Sequence, residues 1–137
     1  MRLVLDTNIL LSALMVRGTP PDRLYEEWRH GRYQLASAEQ QLDELRRVSR
    51  RPFFQERLTA SEIGRMVNDI RRLATMCSPL PDVSASPDPN DDFLLAIAQA
   101  ADADYLVTGD KSDLLALGSH GRTRIVSARA MVQLLNP

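Results

Sequence analysis

Four segments of this 137-residue chain carry acidic side chains that could converge, and three of them lie beside the predicted end of a strand or start of a helix. Asp6 follows the first apolar run, and Asp110 follows a second one at 105–108. In a parallel sheet both would lie at the carboxyl edge, where open α/β sheets bind ligands. Asp91 and Asp92 open a predicted helix, whose positive end tolerates crowded anions. The spacing therefore predicts one acidic crevice.

Glu44 is the fourth candidate, in the middle of a helix predicted over 37–50. It lies between Leu42 and Leu45, so it should lean toward the apolar face. Three of its neighbours are expected to be exposed: Gln40, Gln41 and Asp43. Converging carboxylates repel and protonate unless a cation joins them. A hard ion such as Mg²⁺ or Mn²⁺ resolves that repulsion, and it could activate a water and stabilise phosphoryl charge.

Several of these residues also have structural explanations. Asp6 could be only a helix cap, and Asp88-Pro89-Asn90-Asp91 has the form of a capping box. Asp113 could reach a metal, but a local turn with Asp110 is the preferred interpretation. The Thr108 hydroxyl could hold a water beside Asp110. Ser-His-Asp, Cys-His and zinc-ligand spacings are not found in the sequence, which disfavours nucleophilic and zinc chemistry.

Composition predicts one globular domain over 1–137, located in the cytoplasm. A single cysteine fits a reducing compartment, no apolar run approaches the ~20 residues of a membrane span, and no signal-peptide layout is present. Sixteen of the seventeen basic residues are Arg, which binds phosphates bidentately. Glu44 is followed closely by several arginines: Arg46, Arg47 and Arg50, with Arg51 and Arg57. They either flank the acids or form a solvated helix face.

Strands alternate with helices, which predicts an α/β fold, a three-layer α/β/α sandwich around a mainly parallel sheet. The predicted strands are 2–5, 33–36, 105–108 and 125–126. The predicted helices begin near Asn8, Pro21, Ser37, Thr59, Asp91, Ser112 and Ser127. The apolar stripe at 63–74 is expected to be core or a dimer face, and Met131 with Leu134 and Leu135 adds to the apolar surface.

Four short motifs follow one another along the chain: Asp6-Thr7-Asn8, Asp43-Glu44-Leu45, Asp88-Pro89-Asn90-Asp91-Asp92 and Leu106-Val107-Thr108-Gly109-Asp110. In this order they resemble a PIN domain over essentially the whole chain. The chain looks most like the VapC-type branch, the toxin components of toxin–antitoxin pairs. The resemblance implies a ribonuclease that prefers single-stranded RNA and uses Mg²⁺ or Mn²⁺, with one or two ions.

Carried over residue by residue, the acids would be Asp6, Glu44, Asp91 and Asp110, with Asn8 and Thr108 holding them or the waters of the metal. Asp92 is the competing choice for the third acid. The resemblance also implies a homodimer and an antitoxin that inserts an Arg or Lys among the acids. A binding module without turnover and a receiver-type phosphoryl-transfer domain are the alternatives.

Overall fold

A six-stranded sheet forms the centre of the molecule in the computed structural model, which describes residues 1–109 and 112–136. The strand order is β3-β2-β1-β4-β6-β5, and every pairing is parallel except that of β5 with β6. The strands are β1 (Arg2–Leu5), β2 (Gln34–Ser37), β3 (Thr75–Met76), β4 (Tyr105–Val107), β5 (Ser119–His120) and β6 (Thr123–Val126). The predicted α/β class with a mainly parallel sheet is confirmed.

Eight α-helices in the described residues cover the two faces of the sheet. They are α1 (Thr7–Met15), α2 (Pro20–Arg29), α3 (Glu39–Ser49), α4 (Pro52–Gln55), α5 (Ala60–Leu73), α6 (Asp92–Ala101), α7 (Leu114–Leu117) and α8 (Ala128–Leu135). A 3₁₀ turn at Pro89–Asp91 precedes α6. Among residues 1–109 and 112–136, no helix is long and apolar enough to cross a membrane.

The core has two halves, one on each face of the sheet. Leu3 and Leu5 of β1 pack with α1, α2, α3, α5 and α8, whereas Val4 packs with α6 and α7. Successive side chains of a strand point to opposite faces, so a strand covered on both faces is apolar throughout. This double burial explains why the three residues 3–5 of β1 are all apolar and buried.

Local signals in the sequence explain several helix boundaries. Thr59 and Glu62 form the predicted capping box at the start of α5, and the Ser127 hydroxyl accepts a hydrogen bond from the Ala130 amide at the start of α8. The predicted cap at Ser37 is wrong. Ser37 ends β2, Ala38 is the N-cap of α3, and the Ser37 hydroxyl donates to the Gln41 side chain instead.

Two strands and one helix were not predicted. The strands β3 and β5 contain two residues each, and α4 is a single turn that begins at Pro52. None is long enough to show a period in the sequence. Each joins or extends elements that were predicted, so the layer arrangement is unchanged.

The apolar stripe of α5 belongs to the core of the single chain. Ile63, Met66, Val67 and Ile70 are buried against α3 and the sheet, and Met131 of α8 is buried as well. Two large apolar side chains of these helices stay exposed: Leu73 and Leu134. The stripe therefore gives no support to the expected dimer face.

Candidate metal centre at the carboxyl edge of the sheet

Asp6 lies at the junction of β1, β4 and α1. Its backbone amide donates to the Val107 carbonyl at 2.9 Å, which continues the β1–β4 ladder by one residue. Its Oδ1 accepts from the backbone amide of Asn8 at 3.3 Å, and its Oδ2 accepts from the Thr108 hydroxyl at 2.7 Å. Asp6 is thus the N-cap of α1 and is also held by the neighbouring strand. A helix cap alone does not require the second contact.

Glu44 reaches the same edge from α3. Its Oε2 accepts from the Thr7 hydroxyl at 2.8 Å, and Nη2 of Arg47 lies 3.3 Å from its Oε1. The Glu44 side chain is 21% exposed, whereas that of Asp43 beside it is 78% exposed. The prediction that Glu44 leans toward the interior therefore agrees with the structure, and its hydroxyl partner is the residue that follows Asp6.

A buried side-chain network fixes α3 against β1. The Gln41 amide donates from Nε2 to the Leu5 carbonyl at 2.7 Å, and its Oε1 accepts from the Ser37 hydroxyl at 2.6 Å. Gln41 is buried, so the expectation of an exposed Gln41 is wrong. A buried amide is expected to have its hydrogen bonds satisfied. This network sets the distance between the residue before Asp6 and the helix that carries Glu44.

Three carboxylates meet near the starts of α6 and α7. Asp88, Asp91 and Asp113 each offer one oxygen, and these oxygens all lie within 4.8 Å of one another. Asp88 also caps the 3₁₀ turn through the Asn90 amide, at 3.0 Å. Sequence reasoning treated Asp88 as a cap and preferred a turn role for Asp113. The Asp-rich segment after Pro87 was a signal for the cluster, but neither residue was predicted as a ligand.

Asp92 serves a different purpose from Asp91 in the described contacts. Its Oδ1 accepts from the backbone amides of Ala85 and Ser86, at 3.1 and 2.8 Å. These bonds hold the proline-rich loop against the start of α6. Asp91 lines the cavity described next, and Asp92 is not among the residues of the described chain that line it.

One cavity of about 630 Å³ is lined by acidic side chains from both groups, although Asp113 is not among its described lining residues. Polar and charged side chains dominate its described lining, with Asp6, Asn8, Glu44, Asp88 and Asp91 among them. Two arginines also line it: Arg47 and Arg51. Of the predicted site residues, Thr108 is buried and donates to Asp6, Arg46 and Arg50 line a separate cleft, and Asp110 lies outside the described residues.

The donor set fits a hard divalent cation. Carboxylate oxygens at about 2.0–2.6 Å from one ion lie up to about 4–5 Å from each other, which is the range seen for Asp88, Asp91 and Asp113. All the donors are oxygens, the preference of Mg²⁺ and Mn²⁺ rather than of zinc or copper. The arrangement at this edge is therefore able to hold such an ion.

A sheet of this topology with acids gathered at its carboxyl edge defines the class of α/β proteins that bind a metal where the strands end. A family model described as PIN domain matches residues 2–112, most of the chain from β1 to the residue before Asp113. The chain therefore belongs to the PIN domain family. Comparison with curated proteins gives no match. PIN domains are generally nucleases and typically use a divalent metal.

Proposed function

We propose that this PIN-domain protein is an endoribonuclease that hydrolyses single-stranded RNA with Mg²⁺ or Mn²⁺. The observation that carries the proposal is the convergence of acidic side chains from β1, α3 and the start of α6 on one polar cavity. The family supplies the class of reaction, and the chemistry of the donors supplies the class of metal.

The residues that would hold the metal are Asp6, Glu44, Asp91 and Asp110, as the PIN resemblance implies. Asp88 and Asp113 join them in this proposal because their oxygens lie beside that of Asp91. A divalent ion bound there supplies a water of lowered pKa and neutralises charge on the scissile phosphate. No protein nucleophile is needed for hydrolysis of this kind.

Hydrogen bonds from the protein orient the acids. The Thr108 hydroxyl and the Asn8 backbone amide donate to Asp6, and the Thr7 hydroxyl donates to Glu44, so both carboxylates are held in place at the cavity that they line. Orienting partners of metal ligands matter because their loss typically lowers metal affinity or activity about 10–100-fold. Asn8 and Thr108 are positioning residues in this proposal.

Arg47 and Arg51 are the arginines placed to bind the phosphates of the substrate at the cavity. Both line it, and Arg47 is bonded to Glu44 at only 3.3 Å with a side chain that is mostly exposed. Because the Arg47 side chain is exposed and its contact with Glu44 is long, the Arg47 guanidinium can turn to a phosphate oxygen. Arg46 and Arg50 are assigned a different role below.

For the third acid we favour Asp91 over Asp92. The Asp92 carboxylate holds two loop amides, whereas Asp91 lines the cavity beside Asp88 and Asp113. Asp91→Asn should abolish cleavage with little change in stability, and Asp92→Asn should lower the free energy of unfolding by about 1–2 kcal/mol because two loop amides lose a charged acceptor. The reverse pattern would assign the ligand role to Asp92.

The test of the function is cleavage of single-stranded RNA by the purified protein. We expect cutting with Mg²⁺ or Mn²⁺, no cutting with EDTA, and loss of cutting in Glu44→Gln. Asp43→Asn is the matched control, since Asp43 is adjacent on α3 but points to solvent. Activity that survives EDTA, or that Glu44→Gln retains, would contradict the proposal and favour a PIN-like RNA- or protein-binding module.

The finer parts of the proposal concern partners. The resemblance to VapC-type domains suggests a toxin with a cognate antitoxin, whose Arg or Lys would enter the acidic cavity and displace the metal. It also suggests a symmetric homodimer, which needs a face other than the buried α5 stripe. Growth arrest on expression, relieved by the product of an adjacent gene, tests the toxin role. A 15.4 kDa monomer in light scattering across micromolar concentrations would reject the dimer.

A further inference from the structure

A second cleft lies on the far side of α3 from the acidic cavity. It has a volume of about 320 Å³ and is bounded by α3, α4 and α5. Residues four apart on a helix share a face, and the arginines that follow Glu44 separate accordingly. Arg47 and Arg51 line the acidic cavity, whereas Arg46 and Arg50 line the cleft. Only the width of one helix, about 10 Å, therefore separates the two.

The cleft has the chemical character of a nucleotide site. Its floor is apolar, with Leu58, Ile63 and Val67 buried beneath it. Its walls carry the exposed amides of Gln55 and Asn68. An apolar floor suits the flat face of a base, and amides can pair with the donor and acceptor groups on its edge.

The charge of the cleft favours an anionic occupant such as RNA over a neutral or basic one. Among the described residues that line it there is no Asp or Glu, while two guanidinium groups stand at the rim. Arg46 pairs with Asp43 at 3.7 Å, but both side chains are well exposed, and such a pair contributes little. Guanidinium groups beside an apolar pocket match a phosphate attached to a base.

Gly64 provides an independent sign that the cleft is kept open. It lies in the middle of the 14-residue helix α5, where glycine is the least favourable residue after proline. Its backbone has no positive φ, and a Cβ built on it meets no described atom within 4 Å. Packing therefore gives no reason for glycine at this position. Gly64 lines both this cleft and the adjoining pocket on α5, so a larger side chain at 64 would stand at the edge of the cleft and narrow it.

We infer that this cleft is a nucleotide-binding subsite, which holds a base and phosphate of the single-stranded RNA that extends from the acidic cavity across the end of α3. The inference deepens the proposed function and rests on it. Arg46 and Arg50 bind the phosphate, the apolar floor supports the base, and Gln55 and Asn68 contact the base edge. The subsite would give the enzyme a sequence preference a few nucleotides from the cut.

Binding of a short, fluorescently labelled single-stranded RNA, measured by anisotropy in EDTA, tests the subsite without cleavage. Gly64→Leu should fill the cleft and weaken binding about tenfold, the scale of one lost base contact. Gly64→Ala, which adds one methyl group, is the matched control and should bind as the wild type does. Thermal unfolding of both variants checks that each is folded.

The salt dependence of binding tests the charges. Arg46→Gln with Arg50→Gln should reduce the slope of log K against log salt by roughly 0.7, the value for one phosphate contact to a single strand. Arg65→Gln with Arg72→Gln is the control, because these arginines lie on α5 outside the cleft. An unchanged slope in the first pair, or an equal loss in both pairs, would overturn the inference.

The outcomes separate the subsite from the nuclease. Cleavage and binding that are both normal in Gly64→Leu would overturn the subsite and leave the nuclease intact. RNA binding that Gly64→Leu abolishes, in a protein that cuts no RNA, would support the subsite and reject the nuclease. A wild-type protein that binds no single-stranded RNA, while Gly64→Leu blocks capture of a protein partner, would overturn the subsite in favour of a protein-docking cleft.

Discussion

The two edges of the sheet use carboxylates in opposite ways. At the amino edge, Asp104 accepts from the Arg2 amide at 2.8 Å and from Arg122 Nη2 at 2.7 Å. These partners, the Arg2 amide first and then the Arg122 guanidinium, hold the pKa of Asp104 below its usual range. The acid there is matched to nearby donors and joins the starts of β1, β4 and β6.

At the carboxyl edge the acids are grouped with one another. The oxygens of Asp88, Asp91 and Asp113 lie within 4.8 Å, and Asp6 and Glu44 line the same cavity under hydroxyl donors. Hydroxyl groups orient a carboxylate without neutralising it. The comparison teaches that the amino-edge acid is matched to adjacent donors that join the starts of strands, whereas the carboxyl-edge acids gather around one polar cavity, where several carboxylate oxygens are arranged to receive a cation.

The largest effect should separate Asp6 from Asp104. Asp6→Asn should lower RNA cleavage at least about a hundredfold, because loss of even an indirect partner of a metal costs about 10–100-fold. Asp104→Asn should leave the cleavage rate within about twofold, the range of a surface change far from the chemistry. Initial rates at saturating Mn²⁺ measure both. Equal losses in the two variants would remove the functional distinction between the edges.

Two buried threonines give a second, smaller contrast. Thr108 donates to Asp6 at the carboxyl edge, and Thr123 donates to the Ala103 carbonyl at the amino edge, each at 2.7 Å. Thr108→Val should lower activity about 10–100-fold by removing one of the donors that orient the Asp6 carboxylate. Thr123→Val should lower stability by about 1–3 kcal/mol and leave the rate per folded molecule unchanged. A rate loss confined to Thr123→Val would be inconsistent with the account.

Gln41 tests how the acidic edge is assembled. Gln41→Leu leaves the Leu5 carbonyl and the Ser37 hydroxyl without their described partner, so the free energy of unfolding should fall by about 1–3 kcal/mol. Urea denaturation measures the change, and Gln40→Leu on the exposed neighbouring position is the control. A Gln41→Leu protein as stable as the wild type would show that the network does not hold α3 to β1.

The smallest effect concerns acid stability at the amino edge. The pKa of Asp104 is lower in the folded than in the unfolded state, so its ionisation stabilises the fold above the unfolded value of about 4. This stabilisation is lost as pH falls through the folded value. Asp104 is 30% exposed, so we expect less than about 1 kcal/mol. The free energy of unfolding of Asp104→Asn should fall less steeply than that of the wild type between about pH 5 and pH 2, one unit above and two units below the unfolded value. An unchanged acid transition would show that the pairing contributes nothing.

Much of this was predictable because the signals are local. The apolar run before Asp6, the capping box at Thr59 and Glu62, and the alternation of strands and helices each follow from a few adjacent residues. The resemblance to a PIN domain used the order of four short motifs, and the family match over residues 2–112 confirms the family. The acidic crevice at the carboxyl edge of the sheet could therefore be predicted from acids that directly follow strands.

What was not predictable depends on tertiary distance or on helix phase. Gln41 is buried only because the Leu5 carbonyl lies opposite it, and the sequence does not encode that distance. Asp113 reaches Asp88 and Asp91 through the packing of α7 and α6. Which arginines line the acidic cavity depends on helix phase, since Arg47 and Arg51 line it whereas Arg46 and Arg50 line the other cleft. Two-residue strands carry no period at all.

The measurement that tests the central claim most directly is the shift of the thermal unfolding midpoint with Mn²⁺ in the absence of RNA. A metal that binds the native acids stabilises the fold by about 2.7 kcal/mol at a hundred times its Kd. We predict a rise of several degrees in the wild type and in Asp104→Asn, and no rise in Asp6→Asn or Asp91→Asn. A midpoint that Mn²⁺ does not move, or moves equally in all four proteins, would contradict a metal centre at the carboxyl edge.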